Sequence, residues 1–192
     1  MSLRRKLPIF MRNALPKGYT RIKGLTMNDN CYYAITDFRL TGADILRFSF
    51  SATANCNVIG AYTTTTAQTN YSLYVSTSSG SKYMRYNGGT YDSTISVDTR
   101  YDVVMTPTGT TGISPVTWTQ KDFTCVSDLL VGTTATGATS AKLKGSLYGN
   151  IEVDGRLKLV PCTRDSDSVV GYYDLYTHTF YAPIGTNPTV VS

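Results

Sequence analysis

Residues 145–181 read GSLYGNIEVDGRLKLVPCTRDSDSVVGYYDLYTHTFY. From 146 to 153 the residues alternate, placing Leu147, Gly149, Ile151 and Val153 on one face. That period of two is the signal of a half-buried strand. Asp154-Gly155 follows, the dipeptide that reverses a hairpin because glycine tolerates positive φ. The returning strand, 156–160, sets Leu157 and Leu159 opposite Arg156 and Lys158. Pro161 has no N–H to donate and is expected to end the ladder. A polar loop over 163–168 leads to a strand over 169–174, and Thr179, Phe180 and Tyr181 form one more.

Upstream the same grammar repeats. Strands are expected at 19–22, 31–36, 44–51, 57–62, 71–76, 82–86, 90–96, 100–106, 116–119, 123–125 and 129–132, with Gly, Asn and Pro between them. In 44–51 the alternation puts Leu46, Phe48 and Phe50 on the core side. About a dozen short strands at this spacing indicate an all-β sandwich. Composition agrees: 30 Thr and 15 Tyr against a single Glu favour strands over helices. At 192 residues the chain fits one undivided β domain, and it shows no repeat, linker or second domain.

The formal charge of +5 hides an asymmetry. Residues 1–25 carry Arg4, Arg5, Lys6, Arg12, Lys17, Arg21 and Lys23 and no acid, giving +7, so the remainder sums to 5 − 7 = −2. A basic arm over 1–14, with Ile9 and Phe10 among its apolar residues and Pro8 and Pro16 breaking any helix, precedes a nearly neutral domain over 15–192. An arm that is both basic and apolar suits docking on another surface. Arg4-Arg5 begins no export signal, because the apolar run after it ends at Arg12. No apolar run is long enough for a membrane helix. Cys31, Cys56, Cys125 and Cys162 lack metal-ligand spacing. Disulfides are arithmetically open to them, but buried free thiols in a chain folded in a reducing cytosol are the expectation.

The segment "LVPC.R.SDSVVGYYDLYTHTFY", with its preceding Asp-Gly turn, resembles the C-terminal signature of LamG-like, concanavalin A-like sandwich domains. Those domains occur in bacteriophage virion proteins and gut bacterial surface proteins. The resemblance rests on Pro161, Cys162, Arg164, Asp167, Gly171, Tyr173, Asp174, Phe180 and Tyr181, and on an opening "LP.GYT" matched by Leu15, Pro16, Gly18, Tyr19, Thr20, with Ile22 beyond it. It implies an antiparallel two-sheet jelly-roll sandwich. It also implies a structural part for two acids, Asp167 tying down its loop and Asp174 capping the turn after Tyr173.

Because such sandwiches include glycosidases, catalysis has to be weighed. Retaining enzymes need two carboxyl groups about 5–5.5 Å apart, which this fold supplies from an E-x-D-x-E or E-x-D-x-x-E strand. Glu152-x-Asp154 gives the first half, but Arg156 and Leu157 hold the acid/base places. His178 is the sole histidine and lies in an apparent turn, with no G-x-S-x-G elbow in the chain. Asp165, Asp167 and Asp174 lack the pattern of a calcium loop. The expectation is therefore no enzyme, no cofactor and no metal. Aromatic residues remain: Tyr62, Tyr71, Tyr74, Tyr83, Tyr86, Tyr91 and Trp118 cluster in the centre of the chain, and such rings stack on sugars or anchor interfaces.

Taken together, the resemblance and the arm imply a non-enzymatic virion component made in the host bacterial cytoplasm: a capsid decoration, head fibre or tail fibre subunit. It would be held to other virion proteins through Arg4, Arg5, Lys6, Ile9, Phe10 and Arg12, and would form a homo-oligomer. Nucleic acid and membrane are not expected partners. The alternative is a lectin-like module that presents Trp118, Tyr83, Tyr86 and Tyr91 to glycans.

Overall fold

A computed structural model describes residues 14–28, 30–63, 69–75, 82–135 and 141–191, with the side chains of Lys82 and Tyr83 excluded. The expected arm, including Arg4, Arg5, Lys6, Ile9, Phe10 and Arg12, lies outside the described residues except for Ala14. In chain order the strands are β1 (Tyr19–Arg21), β2 (Gly24–Met27), β3 (Cys31–Ile35), β4 (Leu46–Ala52), β5 (Cys56–Ala61), β6 (Tyr71–Val75), β7 (Lys82–Tyr86), β8 (Gly89–Ser93) and β9 (Tyr101–Thr106). They continue as β10 (Gly109–Thr111), β11 (Leu129–Val131), β12 (Gly145–Val153), β13 (Leu157–Arg164), β14 (Val169–Asp174), β15 (Thr179–Tyr181), β16 (Ile184–Gly185) and β17 (Thr189–Val190).

Among the described residues these strands form two antiparallel sheets, as expected of a sandwich. The ten-stranded sheet runs β10-β9-β4-β12-β13-β14-β15, with β1 paired to β13 and with β2 bridging β12 and β17. The other runs β16-β3-β11-β5-β6-β7-β8. The core lies between them. Leu46, Phe48 and Phe50 of β4 are buried, and so are Leu147, Ile151 and Val153 of β12. Opposite stand Tyr33, Ile35, Tyr71 and Leu73. Each such side chain stabilises the fold by roughly 1.5–3 kcal/mol on full burial. Tyr33 crosses the core, meeting Tyr172 edge-on at 5.1 Å and donating to the Val170 carbonyl at 3.3 Å, so it ties β3 to β14.

Several local expectations need correction. Pro161 does not end the ladder: β13 continues to Arg164, and Pro161 pairs with Tyr172 of β14. The proline carbonyl points toward β1, where it accepts from Ile22 N at 3.1 Å. Its missing N–H would point to that same side, beside Ile22, where β1 has already ended. The lost donor therefore falls beyond the paired residues, and the β14 edge is unaffected. Gly149 does not join the buried face. It is exposed with φ +61°, and the β12–β4 register shifts between Tyr148 and Glu152. The strand that returns from β9 is β10, and residues 116–118 follow outside it, joined by Thr110 N to the Val116 carbonyl at 2.9 Å and Trp118 N to the Thr108 carbonyl at 3.1 Å. The expected strand over 123–125 is only a single bridge, Thr41 to Thr124. Strands β2, β16 and β17 were not expected; β16 and β17 have two residues each, and β2 follows β1 after a break of only two residues.

All four cysteines are free and buried. Burial raises the Cys56 and Cys162 thiols to about 11 and the Cys125 thiol to about 12, and it also pushes Cys31 up. A raised thiol pKa keeps the sulfur protonated and inert at neutral pH, since the thiolate is the nucleophile. Ellman's reagent at about pH 8 is expected to label no cysteine until denaturant unfolds the domain. Labelling of the native protein at the rate of an exposed thiol would contradict this packing.

Candidate functional site

The aromatic residues named for glycan contact belong to two different environments. Trp118 is 7% exposed and Tyr86 1%. Their rings stack at 4.9 Å, and Phe123 meets Tyr86 edge-on at 5.1 Å. The Tyr86 hydroxyl donates to the Gly42 carbonyl at 2.8 Å and accepts from Lys121 N at 3.1 Å. Neither ring offers a face to a sugar, so these two residues are corrected from surface contacts to core. Tyr91 is half-buried and covers Trp118 at 5.1 Å. Tyr83 has its backbone in β7, and its side chain lies outside the described residues.

The acidic residues weighed for catalysis or metal binding are engaged in holding turns and strands. Glu152 pairs with Lys158 at 3.0 Å. Asp154 receives two bonds from Arg47, at 3.0 and 2.9 Å. Asp167 accepts from Arg164 at 3.0 and 2.6 Å and from Val169 N at 3.2 Å. The Arg164 guanidinium accordingly holds the Asp167 carboxyl below the usual carboxylate range. Asp174, fully buried, accepts from Lys158 N at 3.0 Å, Tyr176 N at 3.1 Å, Thr177 N at 3.1 Å and the Thr177 hydroxyl at 2.7 Å. The loop-tying and turn-capping parts implied for Asp167 and Asp174 are what these bonds perform. His178 sits in the same turn at φ +60°, its N–H bonded to the Asp174 carbonyl at 2.9 Å. Among the described residues no three His, Cys, Asp or Glu side chains form a group suited to a metal.

A groove beside the β12–β13 hairpin of the ten-stranded sheet gathers basic side chains. The β12–β13 hairpin splays: β12 pairs with β13 only over Ile151–Val153, while β2 takes the same edge of β12 over Gly145–Tyr148. Strand β1 takes the matching edge of β13 over Cys162–Arg164. The chain therefore folds into the fork, turning at Ile22-Lys23 beside the β12 bulge. Gly149 N donates to the Lys23 carbonyl at 2.8 Å, and Val191 N to the Gly24 carbonyl at 3.0 Å. Gly24 must be glycine, because a Cβ there would lie 2.2 Å from the Leu147 carbonyl oxygen.

The resulting groove, about 940 Å³, is lined by Arg21, Ile22, Lys23, Arg100, Tyr148, Gly149, Asn150, Val190 and Val191. Three of these are cationic and none is acidic. Arg100 lies over the Tyr148 ring at 4.7 Å and reaches Asp102 at 3.3 Å. The Tyr148 hydroxyl is 3.0 Å from that of Ser51. Among the described residues Arg21 and Lys23 have no carboxylate partner. Sequence reading counted both as part of the basic N-terminal excess. It missed Tyr148, Asn150 and Arg100, because only the bulge and the β1–β2 turn bring them together.

No family model matches the chain, and no curated protein matches it in sequence. Among solved structures, a native heptameric SAP-like pentraxin from Limulus polyphemus is similar at 12% identity and a TM-score of 0.44, over 73% of this chain and 77% of that one.

Proposed function

We propose that the protein is a non-enzymatic virion component, a sandwich subunit attached to a phage capsid or tail by its basic N-terminal arm. What supports the reading is how the root of that arm is fastened. Strand β1, which the arm leads into, pairs with the C-terminal signature strand β13 through Tyr19 with Arg164, Thr20 with Thr163 and Arg21 with Cys162. The Tyr19 ring packs on Tyr173 at 4.8 Å and Phe180 at 5.5 Å, and the Thr20 hydroxyl donates to Asp165 at 2.9 Å. The two stretches on which the family resemblance rests are thus one assembled unit. A load taken by the arm enters the domain through it. The commitment of Glu152, Asp154, Asp167 and Asp174 to structural partners supports a role without catalysis.

Removal of residues 1–14 is expected to leave the thermal unfolding midpoint unchanged, because β1 begins beyond the deletion. It is expected to abolish incorporation into particles, read by sedimentation of assembled virions. Normal incorporation of the truncated chain would overturn the anchoring role. Homo-oligomerisation belongs to the same reading, as fibre and decoration subunits act in repeated copies. A glycan role through Trp118 and Tyr86 loses its carriers to the core, so any saccharide contact has to be sought on another face.

A further inference from the structure

We propose that the groove between the β1–β2 turn and the β12 bulge binds an acidic saccharide, a pyranose chain bearing carboxylate groups. The inference takes up the binding half of the reading above and is independent of the arm. Three observations converge on this ligand chemistry. The first is charge. Arg21 ends β1, Lys23 lies in the turn that follows it, and Arg100 comes from the far side; all three line one groove with no acidic residue among its walls, and among the described residues only Arg100 has a carboxylate neighbour, Asp102 at 3.3 Å. Guanidinium and ammonium groups held together in this way select an anion, and Arg presents paired donors matched to a carboxylate.

The second is the apolar wall. Ile22, Val190 and Val191 line the same groove, with Val190 45% exposed. A pyranose carries C–H patches that cover such surface, whereas inorganic sulfate or phosphate has none and would leave it wet. The third is the bulge. Residues 149 and 150 stand out of the β12–β4 ladder, and the Gly149 Cβ position has no atom within 4 Å, which leaves room for a ring there. Gly149 N is spent on the Lys23 carbonyl at 2.8 Å and the Asn150 amide donates to Glu152 at 3.3 Å, so Asn150 offers its side-chain oxygen to a sugar hydroxyl.

Nucleic acid fits less well. Its phosphates recur along a strand and call for an extended basic track. Here the cations form one cluster of three rather than a track, and Asp102 stands beside Arg100 at 3.3 Å.

Titration calorimetry of the full chain with trigalacturonic acid, its neutral galactose counterpart and sodium sulfate tests the proposal. Trigalacturonic acid is expected to bind at least about tenfold more tightly than the neutral trisaccharide, with affinity falling as salt rises. The double variant R21A/K23A is expected to lose binding by about tenfold or more, and Arg100→Ala by a similar factor. All three side chains are exposed, so both variants are expected to keep the wild-type circular dichroism and melting midpoint. Equal affinity for the acidic and neutral trisaccharides, or binding untouched by the double variant, would overturn the proposal. So would sulfate binding as tightly as trigalacturonic acid, which would make the groove a small-anion site. None of these outcomes bears on particle incorporation, so a failure here and a failure of the anchoring role are told apart.

Discussion

Trp118→Ala is expected to destabilise the domain by about 3–5 kcal/mol, the range for emptying a large aromatic site in a packed core. The indole is 7% exposed and is enclosed by Tyr86 at 4.9 Å and Tyr91 at 5.1 Å. Its loss would leave the Tyr86 ring without its stacking partner and loosen the residue that bonds the Gly42 carbonyl and Lys121 N. Urea denaturation followed by circular dichroism measures the effect, since the variant has no tryptophan to report fluorescence. Trp118→Phe is expected to cost much less, about 1 kcal/mol, because it keeps a ring and removes the indole N–H, which is buried without a hydrogen-bond partner. A Trp118→Ala change within about 0.5 kcal/mol of wild type would mark the site as surface, and would return Trp118 to the glycan reading.

Arg156→Ala comes next, with an expected loss of about 2–3 kcal/mol. Arg156 pairs with Asp44, whose side chain is only 6% exposed, and also donates to the Arg39 carbonyl at 3.0 Å and lies over the Phe38 ring at 4.7 Å. Removing the cation leaves a buried carboxylate whose remaining bond among the described residues is from Thr41 N at 2.7 Å. Breaking a buried pair from one side costs about 3–5 kcal/mol, and the lower figure reflects Arg156 itself being 41% exposed. The double variant R156A/D44N should recover much of the loss, because it removes the stranded charge. If the double variant were as unstable as R156A, the damage would lie in lost packing on Phe38 rather than in the carboxylate. At the exposed pair Arg100–Asp102 the same truncation is expected to change stability by less than about 1 kcal/mol.

What could be read from sequence was whatever the strand period dictates locally. The β4 alternation placed Leu46, Phe48 and Phe50 inside, where they lie, and Asp154-Gly155 turned the hairpin. Local pattern failed where a partner strand decides the outcome. Pro161 stays in its strand because its missing N–H faces the end of β1, opposite Ile22, and not the continuous β14 ladder, which no residue near 161 announces. Trp118 was named for glycan contact because exposed rings stack on sugars, yet Tyr86, 32 positions earlier, supplies its stacking surface inside the core. The groove was illegible for the same reason. Arg21 and Arg100 are far apart in sequence, and they line one groove only because β1 and β2 enter the fork of a hairpin formed near the other end of the chain.

The irregularity at Gly149 and Asn150 also sets a rule for insertions and deletions in this strand. Two residues of β12 stand opposite none of β4, an even number, so Leu147 before the gap and Ile151 after it both still point inward. Losing both codons together would straighten the strand while keeping its inside and outside. Losing either one alone would turn half of the central strand over, putting Leu147 or Ile151 and Val153 into water. Drift in length at this point is therefore constrained to steps of two, and the loop that carries the groove's floor can be resized only by that increment.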